Sequence, residues 1–246
     1  MTTYFETGHA KNVAAFEQLI SFCRGYGAAF NPFKASSKLQ ALEDKLAAAK
    51  NVLKTNIDSK TAFSNATNSR FDVFDPIKPF STQLVNAIGA SDATPATVND
   101  AKGFNRKIQG KRAAAIVELP ANADPNGATI KNISAAQQSY DSLLEHFTKL
   151  VSVLLTEPSY QPNEPALSQA GLTSRIAAME AANTAVIDTF TDWSNNRLLR
   201  DDILYNPLTG LVAIAADVKK YIKAVFGATS PQYKQVSSLE FRVIKS

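Results

Sequence analysis

The residues best equipped for chemistry in this chain are a run of cations. Lys102, Arg106, Lys107, Lys111 and Arg112 fall within eleven residues that contain no acid, with Phe104 among them. Clustered lysine and arginine neutralise phosphates and an interleaved aromatic ring can stack on a base, so the run is a candidate polyanion-binding site. The far end of the sequence repeats the theme, with Lys234, Arg242 and Lys245 around Tyr233 and Phe241. The opposing reading is ordinary helix-end charge, since cations near a helix C-terminus are favoured by its dipole. That reading carries more weight. Gly103 to Arg112 (GFNRKIQGKR) also has the outline of a phosphate loop, but its glycines stand two residues too far apart. Arginine also occupies the place of the Ser/Thr that would hold magnesium.

Other reactive side chains are few. Cys23 sits between Ile20 and Tyr26 at an apolar helical position with no base nearby, which marks a small core residue rather than a nucleophile. His9 lies in a polar segment expected to fray, and His146 occupies a position matched by Phe22, which suggests packing rather than base catalysis. No HExxH or Cys/His set occurs, so no metal and no cofactor are expected. Asp188 with Asp192, and Asp201 with Asp202, read as the solvated face of a helix.

A chain of 246 residues, 45% hydrophobic and 20% charged, can bury a sizeable core, and with only 10 glycines the balance favours an all-α fold. A net charge of +4 is too small to imply a polyanion partner unless it is clustered. The opening MTTYFETGHAKN has no basic segment followed by an apolar stretch, and no run reaches the length of a membrane span. The expectation is a cytoplasmic protein with no transmembrane segment.

An internal repeat organises the sequence. Adding 130 to residues 32–70 yields ten identities, among them Pro32/Pro162, Leu42/Leu172, Ile57/Ile187 and Arg70/Arg200, with Phe63 set against Trp193. Each copy reads as helix a, a proline-bearing loop, a long helix b and a helix c. Helix a carries Val13, Phe16, Ile20 and Cys23, or Tyr140, Leu144, Phe147, Val151 and Leu154, at three- and four-residue steps. Helix b is expected over about 36–72 and 173–204, with Leu42, Ile57 and Phe63, and Ile187, Phe190 and Trp193, on its buried side. Helix c should start at Pro76 and at Pro207, each behind an Asx cap, carry Leu208 and Val225 on its stripe in the second copy, and end at Gly89 and Gly227 as left-handed caps. Thr94-Pro95 and Ser230-Pro231 each open one more short helix.

The domain reading is therefore a first repeat over 1–117, a linker over 118–131 and a second repeat over 132–246. The two copies are expected to pack into one elongated helical bundle about a pseudo-twofold axis.

Three stretches together, Thr7 to Val13 (TGHAKNV), Asn105 to Arg112 (NRKIQGKR) and Phe226 to Val236 (FGATSPQYKQV), resemble an uncharacterised family of duplicated, long-helix bacterial proteins of unknown function. The resemblance implies the same duplicated build and brings no functional residues with it.

The functional expectation is a non-enzymatic scaffold that presents long helical surfaces to a protein partner or to copies of itself. Enzymes of this length show polar groups converging on a pocket, and none is visible. The alternative is a polyanion or nucleic-acid-binding module working through the basic segments. A membrane-acting bundle ranks behind both, for want of a strongly apolar hairpin tip.

Overall fold

The structure, a computed structural model, describes residues 3–111 and 138–244, the side chains of residues 3–7 aside. Every regular element among these residues is helical: α1 (Thr3–Gly25), α2 (Leu39–Phe74), α3 (Ile77–Gly89), α4 (Pro95–Ile108), α5 (Tyr140–Thr156), α6 (Gln169–Tyr205), α7 (Leu211–Phe226) and α8 (Pro231–Ser237). None of them is long and apolar enough to cross a membrane. The linker expected over 118–131 lies outside the described residues.

Local chemistry places three of the helix starts. Thr94 and Ser230 each precede a proline at the first helical position, and each hydroxyl accepts a hydrogen bond from the backbone N–H three residues on, opening α4 and α8. Ser139 caps α5 in the same way. Asn206 departs from expectation. Its Oδ1 accepts from the N–H groups of Leu208 and Thr209, at 3.0 and 3.1 Å, so the side chain closes a separate turn and α7 starts only at Leu211. Gly210 is needed there, because a Cβ would sit 2.5 Å from the backbone of Asn206. Leu208, read as part of a buried stripe, is therefore left exposed in the turn, and Val225 near the end of α7 is also exposed. Gly227 has the expected positive φ of 91°, whereas α3 runs through Gly89 and ends on Ala90 in a right-handed conformation.

The chain divides into two compact units, one of residues 1–64 and 188–246 and the other of residues 65–187. Both divisions fall inside a long helix, α2 or α6, so the first unit combines the two ends of the sequence and the second takes its middle. In the first unit, Phe16, Leu19, Ile20 and Cys23 of α1 pack with Leu42 and Ala49 of α2, Leu204 of α6 and Ile214, Val218 and Ile222 of α7. In the second, Phe80, Leu84 and Ile88 of α3 and Ala101 and Ile108 of α4 pack with Phe147, Leu150 and Leu154 of α5 and Leu172 and Met179 of α6. Burial of such aliphatic and aromatic side chains is worth about 1.5–3 kcal/mol each before the entropy of ordering them is counted.

Candidate functional site

Lys102, Arg106, Lys107 and Lys111 are all exposed, at the C-terminal half of α4 and just past it, while Arg112 lies outside the described residues. The backbone here is a helix stop. Gly110 takes φ +70°, its N–H donates to the carbonyl of Lys107 and the N–H of Lys111 donates to that of Arg106, both at 3.0 Å. Gln138 Nε2 donates to the same Lys107 carbonyl at 3.0 Å. Asn105 and Gln109 face α3: Ser81 Oγ donates to Asn105 Oδ1 at 2.8 Å and Gln109 Nε2 donates to the Lys78 carbonyl at 2.7 Å. The glycines that suggested a phosphate loop thus belong to a helix and its cap. Lys107 Nζ lies 5.5 Å from the Phe104 ring centroid, so the aromatic of the run is already beside a cation of its own chain.

At the far end of the sequence, Lys234 is exposed and Arg242 pairs with Glu240 at 2.7 Å, while Lys245 lies outside the described residues.

His9 does not lie in a frayed segment. It is buried in α1, with Nδ1 2.5 Å from the hydroxyl of Tyr205 on α6. Asn12, one turn on and also buried, donates from Nδ2 to that hydroxyl at 3.2 Å. The Tyr205 oxygen thus joins the His9 ring and the Asn12 amide, accepting from the latter.

The same Asn12 amide grips the C-terminal segment. Nδ2 donates to the Arg242 carbonyl at 2.7 Å and Oδ1 accepts from the Arg242 N–H at 3.0 Å. Two residues further on, Ile244 reaches Gly8, where a Cβ would stand 2.4 Å from its Cδ1. Arg242 presents its N–H and its carbonyl to one and the same amide, as a residue of an extended strand does to its neighbour, and Ile244 then lies one turn back along α1. The tail therefore runs as an extended strap antiparallel to α1. Gly8 and Asn12 of α1 are the residues that seat it.

His146 of α5 is buried, and burial first, then the cation of Lys107, pushes its pKa below the ordinary histidine range. Cys23 is buried in the first unit's core, and burial pushes its pKa up to about 12, which keeps it a thiol and disarms it as a nucleophile. Of the carboxylates read as a solvated helix face, Asp201 departs: its Oδ1 accepts from Nε and Nη2 of the buried Arg200 at 2.9 and 2.7 Å. Among the described residues no group of three or more His, Cys, Asp or Glu side chains is placed to hold a metal ion.

One surface has the composition of a protein-binding hot spot. On the stretches of α2 and α6 within the first unit, Phe63 and Trp193 stack on each other, and Phe190 meets both rings, at 5.5 and 6.3 Å between centroids. Arg197 lies over the indole at 5.5 Å. Phe63 and Trp193 are half-buried rather than core, Phe190 is 50% exposed, and Leu198, two turns further along α6, is 68% exposed. Ile57 and Ile187, also expected on the buried side of their helices, are exposed. The apolar steps of the long helices did not separate the face packed on a neighbour from the face turned to solvent.

The signal was nevertheless in the repeat. At the 130-residue offset read in the sequence, Phe190 and Leu198 stand against Lys60 and Asn68, both exposed, so solvated residues occupy one set of positions and large apolar ones the other. Comparison with family models, with curated proteins and with solved structures returned no match to this chain.

Proposed function

We propose that the chain is a duplicated helical scaffold that docks a protein partner on α6 through Phe190, Trp193, Arg197 and Leu198. The observation that carries the reading is the divergence just described: exposed Phe190 and Leu198 stand where the other copy has Lys60 and Asn68. Aromatic and arginine side chains gathered on a rigid helix are the usual anchors of protein–protein interfaces. Duplication is supported by paired roles. Leu42 and Leu172, and Ala49 and Met179, are fully buried equivalents, and Phe30 and Tyr160 fill matching loop positions. Phe63 stacked on Trp193, its own repeat equivalent, is the contact a pseudo-twofold axis produces where it passes between two copies.

The test compares partners crosslinked to and recovered with the wild-type chain against those of Phe190→Asp, Leu198→Asp and an exposed control, Leu155→Asp. A partner whose crosslinks map to α6 and vanish with the first two variants supports the reading. Partner sets that are empty, or the same for all variants, reject it.

A second reading rests on the four exposed cations at the end of α4, in a run of sequence that contains no acid. It is the polyanion alternative, and its discriminating property is salt dependence.

A further inference from the structure

We propose that the groove between α7 and the C-terminal strap is a docking site for an extended, acidic peptide segment of a partner protein, which adds to the free edge of the strap. The surface differs from the one on α6, and the inference stands whether or not α6 binds a partner. The groove measures about 490 Å³, with Val212 and Ala216 of α7 as floor, Leu239 to Arg242 as one wall and Lys219 beside them.

From Phe241 on, the strap is held on one edge only. Arg242 gives its N–H and carbonyl to Asn12, and Lys219 Nζ, lying 5.2 Å from the Phe241 ring centroid, donates to the Leu239 carbonyl. In an extended chain the backbone groups of alternate residues point to opposite edges, so those of Phe241 and Val243 face away from Asn12. Among the described residues no hydrogen bond reaches them. An extended segment with one unpaired edge is a template for another strand, and main-chain pairing of this kind supplies affinity without demanding a particular sequence.

Charge selects the partner. On α7, α8 and the strap, Lys219, Lys220, Lys223, Lys234 and Arg242 outnumber Asp217 and Glu240. Both carboxylates are also engaged already, Asp217 by Lys34 at 2.5 Å and Glu240 by Arg242 at 2.7 Å. The small floor at Ala216 admits a backbone, and the cationic surround favours carboxylates on it.

The experiment uses the full chain and a fluorescein-labelled octapeptide alternating glutamate and valine, read by anisotropy. Three comparison peptides are its lysine–valine counterpart, a form N-methylated on alternate residues, and a scrambled form with the glutamates grouped. A labelled DNA duplex is the fourth probe. Saturable binding of the alternating peptide is expected, with losses of at least about tenfold for the lysine and N-methylated forms and for the Ala216→Trp chain, whose indole fills the floor. Ala216 is exposed, and circular dichroism checks that this variant folds. No binding at millimolar peptide, equal binding of the N-methylated form, indifference to Ala216→Trp, or duplex binding that displaces the peptide with equal loss for all peptides would overturn the assignment.

Discussion

Phe63 and Trp193, 130 positions apart in the sequence, stack with centroids 5.6 Å apart and planes 19° from parallel. Neither ring is fully enclosed, so the stack is a seam between α2 and α6 rather than a core filling. Apolar residues on such a seam serve packing and recognition together, and the two contributions separate by mutation.

Trp193→Ala should lower stability by about 1.5–2.5 kcal/mol, less than the roughly 3–5 kcal/mol of a fully buried aromatic. Combined with Phe63→Ala in a double-mutant cycle, the coupling should be about 0.5–1.5 kcal/mol, the range of stacked aromatic pairs. Urea unfolding of the four proteins measures it. Strict additivity would mean that the stacked geometry contributes nothing.

Asn12→Ala removes both hydrogen bonds to the Arg242 backbone and the one to Tyr205. Amide exchange at Arg242 should accelerate to that of a free tail, while the helices of the second unit keep their protection. The global cost should be about 1–3 kcal/mol, because the Tyr205 hydroxyl is left short of a donor. A tail that stays protected in the variant would show that Gly8 and Lys219 suffice to seat it.

His146 links stability to pH. Burial and Lys107 depress its folded-state pKa below the 6.5 of the free side chain, so the unfolded chain binds the proton more readily. Its contribution is fully present above about pH 6.5 and is lost as pH falls from there through the folded value. His146→Phe, which installs the residue type found at position 22, should therefore lose less stability than wild type between pH 7.5 and pH 5. Equal losses in urea midpoints would remove His146 as the cause.

Helix content, cap positions at Thr94 and Ser230, and the buried stripe of α1 were legible in the sequence because each rests on local periodicity or on one side chain meeting a nearby N–H. The seat of the strap was not, since it joins Gly8 and Asn12 to Arg242 and Ile244 across the whole length of the chain. No spacing rule reports such a pairing, and a polar N-terminal stretch reads as frayed until the tail that covers it is placed. The start of α7 was misread for a smaller reason. An Asx residue before proline caps either a helix or an isolated turn, and the glycine at 210 decided for the turn.

The exposed cations of α4 make the sharpest quantitative contrast with the scaffold reading. With no strand among the described residues to form an RNA-binding sheet, affinity for nucleic acid through these cations would come from phosphate neutralisation. Each phosphate contact on duplex DNA contributes a slope of about 0.9 in log affinity against log salt. Replacing Arg106, Lys107, Lys111 and Arg112 with alanine should then flatten that slope by as many contacts as the four make, and weaken binding to an arbitrary duplex and to a single strand alike. The helix stop at Gly110 is built from backbone groups and Gln138, so the replacements leave its hydrogen bonds in place and the melting temperature should hold. Fluorescence titration of both chains from 20 to 200 mM salt reads the slope directly, with about a hundredfold loss of wild-type affinity across that range for two contacts. Absence of binding at the lowest salt, or a slope that the four alanines leave unchanged, would exclude the polyanion reading and leave the protein-docking surface of α6 as the functional face.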